Sequence, residues 1–309
     1  MTLKEFKIFA CNELCSSQKK TSKNSALLDI NVLLEHCLCK SKTWILLNPD
    51  YLLSKDLLDW LKNAIELRKT GLPIAYITGR KEFFGLDFFV TPDVLIPKPD
   101  TEILVENAVN LIKEKIIANP NRILTVCDMC TGSGCIGISV LKTIASDSAL
   151  KERLPLFVLA DISENALKIA KKNVQAILLP DEQERVRFCR TNLFENIGYT
   201  FDAILTNPPY VPSKLVDELL KDGRKEPRLA LDGDITLTGE KSTSSDGLEL
   251  IRNLVPQAYS HLAYGGLFFM ETGEYNAKKA KELCALSGFK NTSIICDLEN
   301  QFRVVTGTK

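Results

Sequence analysis

The sequence is short of several things, and each shortage excludes something. It has only two histidines, His36 and His261, far apart in the chain. Zinc sites need paired Cys or His ligands at fixed spacing, and a single C-x-x-C, Cys127 and Cys130 in "CDMC", stands here without a second pair. No metal site is expected. Cys127 reads as a core residue, Cys130 as a loop residue, and His36 as a core or boundary histidine inside an apolar stretch. The chain also has no excess of charge, with Lys+Arg and Asp+Glu both at 39. A general nucleic-acid binder usually carries a basic excess, so no direct nucleic-acid contact is expected. No apolar run approaches a membrane span. No arginine precedes Arg68, against an Arg-rich transit peptide, and "MTLKEFKIFACNELC" has no hydrophobic signal core. Ten cysteines in 309 residues are too sparse for a disulfide-stapled secreted scaffold. The expectation is a soluble, cytoplasmic, monomeric chain with no membrane partner.

What is present is ordinary globular material, 45% hydrophobic and 25% charged, enough for a sizeable core. The first ~70 residues read as helical. "NSALLDINVLLEHCLCK" places Leu27, Leu28, Val32, Leu34, Cys37 and Leu38 near one face behind an Asn24 or Ser25 cap. "SKDLLDWLKNAIELRKTG" starts at a Ser54 cap and stops at Gly71 before Pro73. Residues 1–75 are expected to form a small helical bundle. Residues 76–100, rich in β-branched and aromatic residues and punctuated by Gly and Pro, predict a β-hairpin linker. Asp100 or Thr101 is expected to cap the helix that opens the remaining domain, 101–309. From residue 122 strands and helices alternate, through "RILTVCD", "LFVLAD", "VRFC", "FDAILT" and "GLFFME". That alternation predicts an α/β fold with a parallel sheet covered on both faces. The tail, "FKNTSIICDLENQFRVVTGTK", predicts a hairpin that adds an antiparallel strand. Residues 234–247, "DITLTGEKSTSSDG", read as an exposed Ser/Thr-rich loop.

"VCDMCTGSGCIGIS" runs from a strand pattern into a helix pattern. Gly132, Gly134 and Gly137 spell G-x-G-x-x-G, compatible with a dinucleotide turn and so with a dehydrogenase. Two features favour S-adenosylmethionine. Asp128 precedes the loop, where a carboxylate suits the cationic amino end of methionine and would repel a pyrophosphate. Gly137 needs no diphosphate to explain it, since it can let the helix pack close to the sheet. Asp161, ending the second strand pattern, can accept hydrogen bonds from both hydroxyls of a ribose. Its competing reading is the N-cap of "SENALKIAKKN".

The apolar run "FDAIL" ends in "TNPPYV". Ligands of open α/β sheets bind outside the carboxyl ends of strands, which puts Asn207 beside whatever the glycine loop holds. Pro208 and Pro209 lack N–H groups and have fixed φ, so the backbone there offers only carbonyl acceptors in a stiff frame. Asn207 adds a side-chain carbonyl and Tyr210 an aromatic face. Together they describe a receptor for a planar –NH2, either a carboxamide or an exocyclic base amine. The competing reading is a plain Asn-Pro turn.

These residues carry a resemblance. "GLPIAYITGRKEFFGLDFFVTPDVLIPKPDTE", "TGSGCIGIS", "NPPYVP", "EPRLALDGD", "DGLELI" and "GGLFFMETG" closely resemble the protein-(glutamine-N5) methyltransferases of peptide chain release factors, the HemK/PrmC family, over nearly the whole chain. The resemblance implies a class I (Rossmann-like) methyltransferase with a mostly parallel seven-stranded sheet. It implies S-adenosylmethionine as cofactor and the glutamine of a release factor's Gly-Gly-Gln loop as substrate, with the N-terminal bundle helping to hold that protein. By position, cofactor binding falls to Asp128, Cys130, Thr131, Gly132, Ser133 and Gly134, with ribose at Asp161, the adenine side at Asn192 and Leu193, and a further contact at Asn207. The amide receptor falls to Asn207, Pro208, Pro209 and Tyr210, of which Asn207, Pro208 and Tyr210 carry the catalysis. Three positions depart from the family. Cys130 replaces its first glycine and is expected at negative φ, with a redox gate formed with Cys127 and Cys135 as a second reading. Asn192 replaces an aspartate, keeping an acceptor but losing the charge. Lys98 replaces an arginine, losing bidentate contacts. Alternatives are a DNA or RNA amino-methyltransferase that shares N-P-P-Y, and a non-catalytic cofactor-binding translation protein.

Overall fold

The computed structural model describes residues 1–17 and 21–309. Residues 18–20, inside the stretch expected to be helical, lie outside the described residues. The chain divides into two compact units, Met1–Arg80 with Glu218–Lys225, and Lys81–Asp217 with Glu226–Lys309.

The first unit is helical: Leu3–Ser16, Lys23–Leu38, Lys42–Leu47, Lys55–Lys69 and Ile74–Thr78. Its helices begin where short hydroxyl side chains can accept an unpaired N–H. Thr2 forms a capping box with Glu5, and Ser41 and Ser54 accept from Trp44 N and Leu57 N. The expected Asn24 or Ser25 cap is corrected to Ser22. Its extended backbone lets its hydroxyl take Ser25 N, so the helix starts earlier. The buried face is also rotated from the expected one. Ala26, Ile30, Leu33 and Leu34 are buried against Leu3, Phe6, Leu14, Leu61 and Ile65, while Leu28 and Val32 are exposed. His36 is exposed too, a correction to its core or boundary reading, and stacks on Trp60.

β1 (Arg80–Phe83), which lies in the second unit from Lys81 on, and β2 (Leu86–Phe89) form a two-stranded sheet turning at Phe84 and Gly85, both at positive φ. The main sheet contains β3 (Thr125–Met129), β4 (Leu156–Asp161), β5 (Val186–Arg190), β6 (Phe201–Thr206), β7 (Leu262–Glu271), β8 (Lys290–Cys296) and β9 (Phe302–Thr308). Its order is β5-β4-β3-β6-β7-β9-β8. β3 to β7 pair in parallel, and β9 runs antiparallel to β7 and β8. The expected seven-stranded α/β sheet with its antiparallel tail hairpin is therefore present.

Neighbouring residues of each strand serve opposite faces. Val126, Leu159, Leu205, Phe269 and Val304 join one core, with helices Glu102–Ala118, Cys135–Ala145 and Glu164–Ile177. Cys127, Val158, Ile204, Phe268 and Val305 join the other, with helices Glu249–His261 and Ala277–Leu286. This two-sided burial is why "FDAILT" is apolar almost throughout rather than alternating. β3 has β4 on one side and β6 on the other. The chain reverses its direction of travel there, and a crevice opens outside the carboxyl ends of the strands.

Candidate active site

That crevice is a cavity of about 320 Å³, within the ~300–1,000 Å³ usual for small-molecule sites. The loop after β3 forms its floor. Cys130, Gly132 and Gly134 all have positive φ, at 60°, 54° and 82°. The expected negative φ at Cys130 is thus corrected. The chain must turn sharply after Met129 for Thr131 N to reach the Ala160 carbonyl at 3.0 Å and Gly132 N to reach Asp161 Oδ2 at 2.9 Å. These tertiary hydrogen bonds outweigh the ~1–2 kcal/mol that a non-glycine residue loses in the left-handed region.

Asp128 does not face the cavity. It is fully buried beneath the loop, where its Oδ2 accepts from Thr131 Oγ1 at 2.6 Å and Gly137 N at 2.9 Å. This corrects the expectation that it meets a cationic ligand group; its side chain instead shapes the turn. Burial pushes its carboxyl up to about 7, against the pull of the Thr131 and Gly137 hydrogen bonds. A Cβ on Gly137 would lie 2.5 Å from Leu159 Cδ2 and 3.0 Å from Asp128 Oδ2, so close helix–sheet packing explains that glycine. Asn173 also steadies the loop, and the sequence reading missed it. It is fully buried, donating to Ser133 O at 2.8 Å and Phe89 O at 3.0 Å and accepting from Phe89 N at 2.7 Å. Its signal was a lone amide on the buried stripe of Ala166, Ala170 and Val174.

Asp161 lines the cavity. Its Oδ1 accepts from Ser163 N at 2.9 Å, while Ser163 itself caps the next helix through Ala166 N. The capping role belongs to Ser163, leaving Asp161 as a cavity carboxylate that also braces the glycine loop. Burial raises its pKa. Asn192 and Leu193 form part of the wall, and Asn192 Nδ2 donates to Leu237 O at 3.1 Å. The thiols of Cys127, Cys130 and Cys135 are all pushed up by burial. A thiol without thiolate character is unreactive, which gives no support to a redox gate.

Asn207 and Pro209 line the cavity; Pro208 is buried, Tyr210 is half-buried, and neither lines it. Asn207 Nδ2 donates to Thr101 Oγ1 at 3.2 Å. Thr101 sits at the start of helix Glu102–Ala118 but makes no side-chain capping bond, a correction to its expected role. Tyr210 was expected to present its ring to a flat ligand. Instead its hydroxyl donates to Glu271 Oε1 at 3.0 Å, and its carbonyl accepts from Asn276 Nδ2 at 2.9 Å. Glu271, the carboxylate that ends β7, is buried, and desolvation lifts it to about 7.

The rest of the wall comes from residues 92–101, from Leu250 and from residues 227–239. The last segment has no chemistry assigned from sequence, and 234–247 is expected to be an exposed loop. Residues 238–241, 243 and 245 are exposed as expected, but Ile235, Thr236 and Leu237 line the cavity, a partial correction with a clear cause. Buried carboxylates pin the segment. Glu226 pairs with Lys98 at 2.6 Å, Asp232 accepts from Ser213 Oγ at 2.7 Å, and Asp234 accepts from Gly247 N at 2.7 Å and Ser213 N at 3.0 Å. A Cβ on Gly247 would fall 2.2 Å from the Tyr210 carbonyl, so the segment ends packed on the N-P-P-Y backbone. Among the described residues no cluster of three or more His, Cys, Asp or Glu side chains could hold a metal, and no helix is long and apolar enough to cross a membrane.

The lining suits S-adenosylmethionine. Asp161 is an acceptor for a sugar diol, Leu193 and Leu237 offer apolar surface for a flat base, and the buried Ser133 Oγ has no partner among the described residues. Fold and site together define a class I S-adenosylmethionine-dependent methyltransferase. Residues 13–79 match the PrmC N-terminal domain and residues 104–248 the methyltransferase small domain. The chain belongs to the release factor glutamine methyltransferase family. The release factor glutamine methyltransferase of Clostridium acetobutylicum is 33% identical over 295 residues, covering 94% of this chain and 94% of that one. That of Leptospira interrogans is 35% identical over 294 residues, again 94% of each. Among solved structures, the hMettl16 catalytic domain in complex with MAT2A 3'UTR hairpin 1 aligns at a TM-score of 0.50 and 12% identity, over 84% of this chain and 83% of that one, a likeness of fold alone.

Proposed function

We propose that this chain transfers a methyl group from S-adenosylmethionine to the side-chain amide nitrogen of the glutamine in the Gly-Gly-Gln loop of a peptide chain release factor. In this reading residues 1–75 recognise the protein substrate, 76–100 link, and 101–309 hold the cofactor and carry the transfer, by a monomer in the cytoplasm. The observation that carries it is the state of Asn207. Its Nδ2 is committed to Thr101 Oγ1 at 3.2 Å, so its Oδ1 is left to accept a hydrogen at the cavity.

S-adenosylmethionine, when bound, supplies an electrophilic sulfonium methyl. The Cys130–Gly134 turn, Asp161, Asn192 and Leu193 are the residues that would hold it. An amide nitrogen is a poor nucleophile because its lone pair is delocalised, so the protein's work is orientation. Asn207 Oδ1 accepts one amide hydrogen and fixes the nitrogen in place. That acceptor binds more strongly as positive charge develops on the nitrogen, which stabilises the transition state. The nitrogen gains its N–C bond as the sulfonium's S–C bond breaks to leave a neutral thioether, and the nitrogen then loses one N–H proton to water. Mass spectrometry of a release factor incubated with enzyme and cofactor should find one added methyl on the glutamine. Asn207→Ala should lower kcat about 100-fold with calorimetric cofactor affinity nearly unchanged. Equal turnover in that variant would remove Asn207 from the mechanism.

A further inference from the structure

A receptor for an –NH2 group works only if it presents acceptors, and an asparagine amide turned end for end presents a donor. Something must set its sense. The structure puts a short polar chain next to Asn207. Its Nδ2 meets Thr101 Oγ1, and Thr101 is 2% exposed with a hydroxyl not used by the helix it begins. Beside them lies Glu271, 1% exposed, its carboxyl approached by the Thr101 and Asn207 side chains. Glu271 Oε1 holds the Tyr210 hydroxyl at 3.0 Å, while the buried Oε2 makes no hydrogen bond of ordinary geometry and is the oxygen left for Thr101. Leaving a buried acceptor unsatisfied is costly.

We infer that Glu271 is a positioning residue that sets the hydrogen-bond polarity of the amide receptor through Thr101. This rests on the reading of the site proposed above. An ionised carboxylate can only accept. Thr101 therefore turns its hydroxyl proton toward Glu271 and its lone pair toward Asn207. Asn207 must answer with Nδ2–H, which leaves Oδ1 for the substrate amide. If Glu271 takes up a proton it can donate into Thr101. The Thr101 hydroxyl then points at Asn207 and favours Oδ1 there, and Nδ2 is offered to a substrate group that is itself a donor. Tyr210 anchors the far oxygen of the same carboxylate, so one buried charge organises both ends of N-P-P-Y.

Burial lifts the Glu271 carboxyl to about 7 against the pull of hydrogen bonds from Thr101, Tyr210 and Asn207. The other titratable and charged groups around the cluster are Asp100, which pairs with Arg303 at 3.0 Å, Cys135 and Tyr275. Burial pushes Cys135 and Tyr275 up to about 12, so neither titrates near neutrality.

The test joins kinetics to a turnover-free measurement. Thr101→Val should lower kcat roughly 10- to 100-fold without changing calorimetric cofactor affinity, and Thr101→Ser, which keeps the hydroxyl, should recover most of that loss. The kcat of the unaltered enzyme should fall on the acid side with a midpoint near 7, and Glu271→Gln should abolish that limb. The side-chain amide signals of Asn207 in nitrogen-15 NMR, identified by their loss in Asn207→Asp, should titrate in the same range and stop titrating in Glu271→Gln. A Thr101→Val enzyme with undiminished kcat, or an Asn207 titration that survives Glu271→Gln, would overturn the inference. Absence of release-factor methylation by the unaltered protein would sink the proposed function alone, because the NMR titration needs no turnover.

Discussion

A cysteine at φ 60° is the costliest single conformation in the glycine loop. Comparing Cys130→Gly with Cys130→Ala isolates that cost, since both variants lose the same sulfur. At positive φ glycine should be the more stable of the two by about 1 kcal/mol. At negative φ the order would reverse, because glycine loses more chain entropy on folding. Denaturant unfolding of the pair decides it by sign. The sequence could not reveal this angle, for it follows from two hydrogen bonds, Thr131 N to Ala160 O and Gly132 N to Asp161, between segments some 30 residues apart. Asp128 shows the same limit. Its identity and its place at a strand end were legible, but whether its side chain faced ligand or loop depended on the Gly137 helix packing above it.

At the scale of elements, the wall formed by residues 227–239 hangs on buried carboxylates. Asp234 accepts two backbone N–H groups, Gly247 N and Ser213 N, and is 1% exposed. Asp234→Ala strands both donors, at ~1–3 kcal/mol each. It should lower stability by about 3 kcal/mol, read as a shift in denaturant midpoint, and should also weaken cofactor binding because the wall carries Ile235, Thr236 and Leu237. An unchanged midpoint would mean that solvent or rearrangement meets those donors. Regular elements were readable because their patterns are local. "LFVLAD" and "FDAILT" lie in β4 and β6, and a Ser54 hydroxyl caps its helix. The wall was not readable, because a Ser/Thr-rich composition describes both an exposed loop and one pinned by acids that lie elsewhere in the chain.

For the whole molecule, the buried carboxyls dictate how stability responds to pH. Asp128 and Glu271 are lifted to about 7 from ordinary values of 3.8 and 4.5, and burial raises Asp161 as well. Between those limits the unfolded chain has lost these protons while the native chain keeps them, so stability falls as pH rises. The contribution of Asp128 and Glu271 is complete below about pH 4 and gone above about pH 7, and Asp161 acts in the same sense. Asp147 and Asp297, held low chiefly by hydrogen bonds from Lys113 and Arg303, act in the opposite sense, and both are only partly buried. Thermal unfolding from about pH 5 to pH 8 should show a Tm that declines less steeply in Glu271→Gln than in the unaltered chain; parallel curves would mean that Glu271 is ionised throughout. By itself the sequence determined the alternation of strands and helices, the antiparallel tail, the glycine turn and the N-P-P-Y corner, because each is written in neighbouring residues whose backbone preferences and burial periods are local. Only the tertiary structure decided which groups meet. Thr101 comes to Asn207, Tyr210 to Glu271, and Asp161 to the glycine turn through a sheet order that brings distant strand ends together, and the sense of a hydrogen bond exists only once both partners are in place.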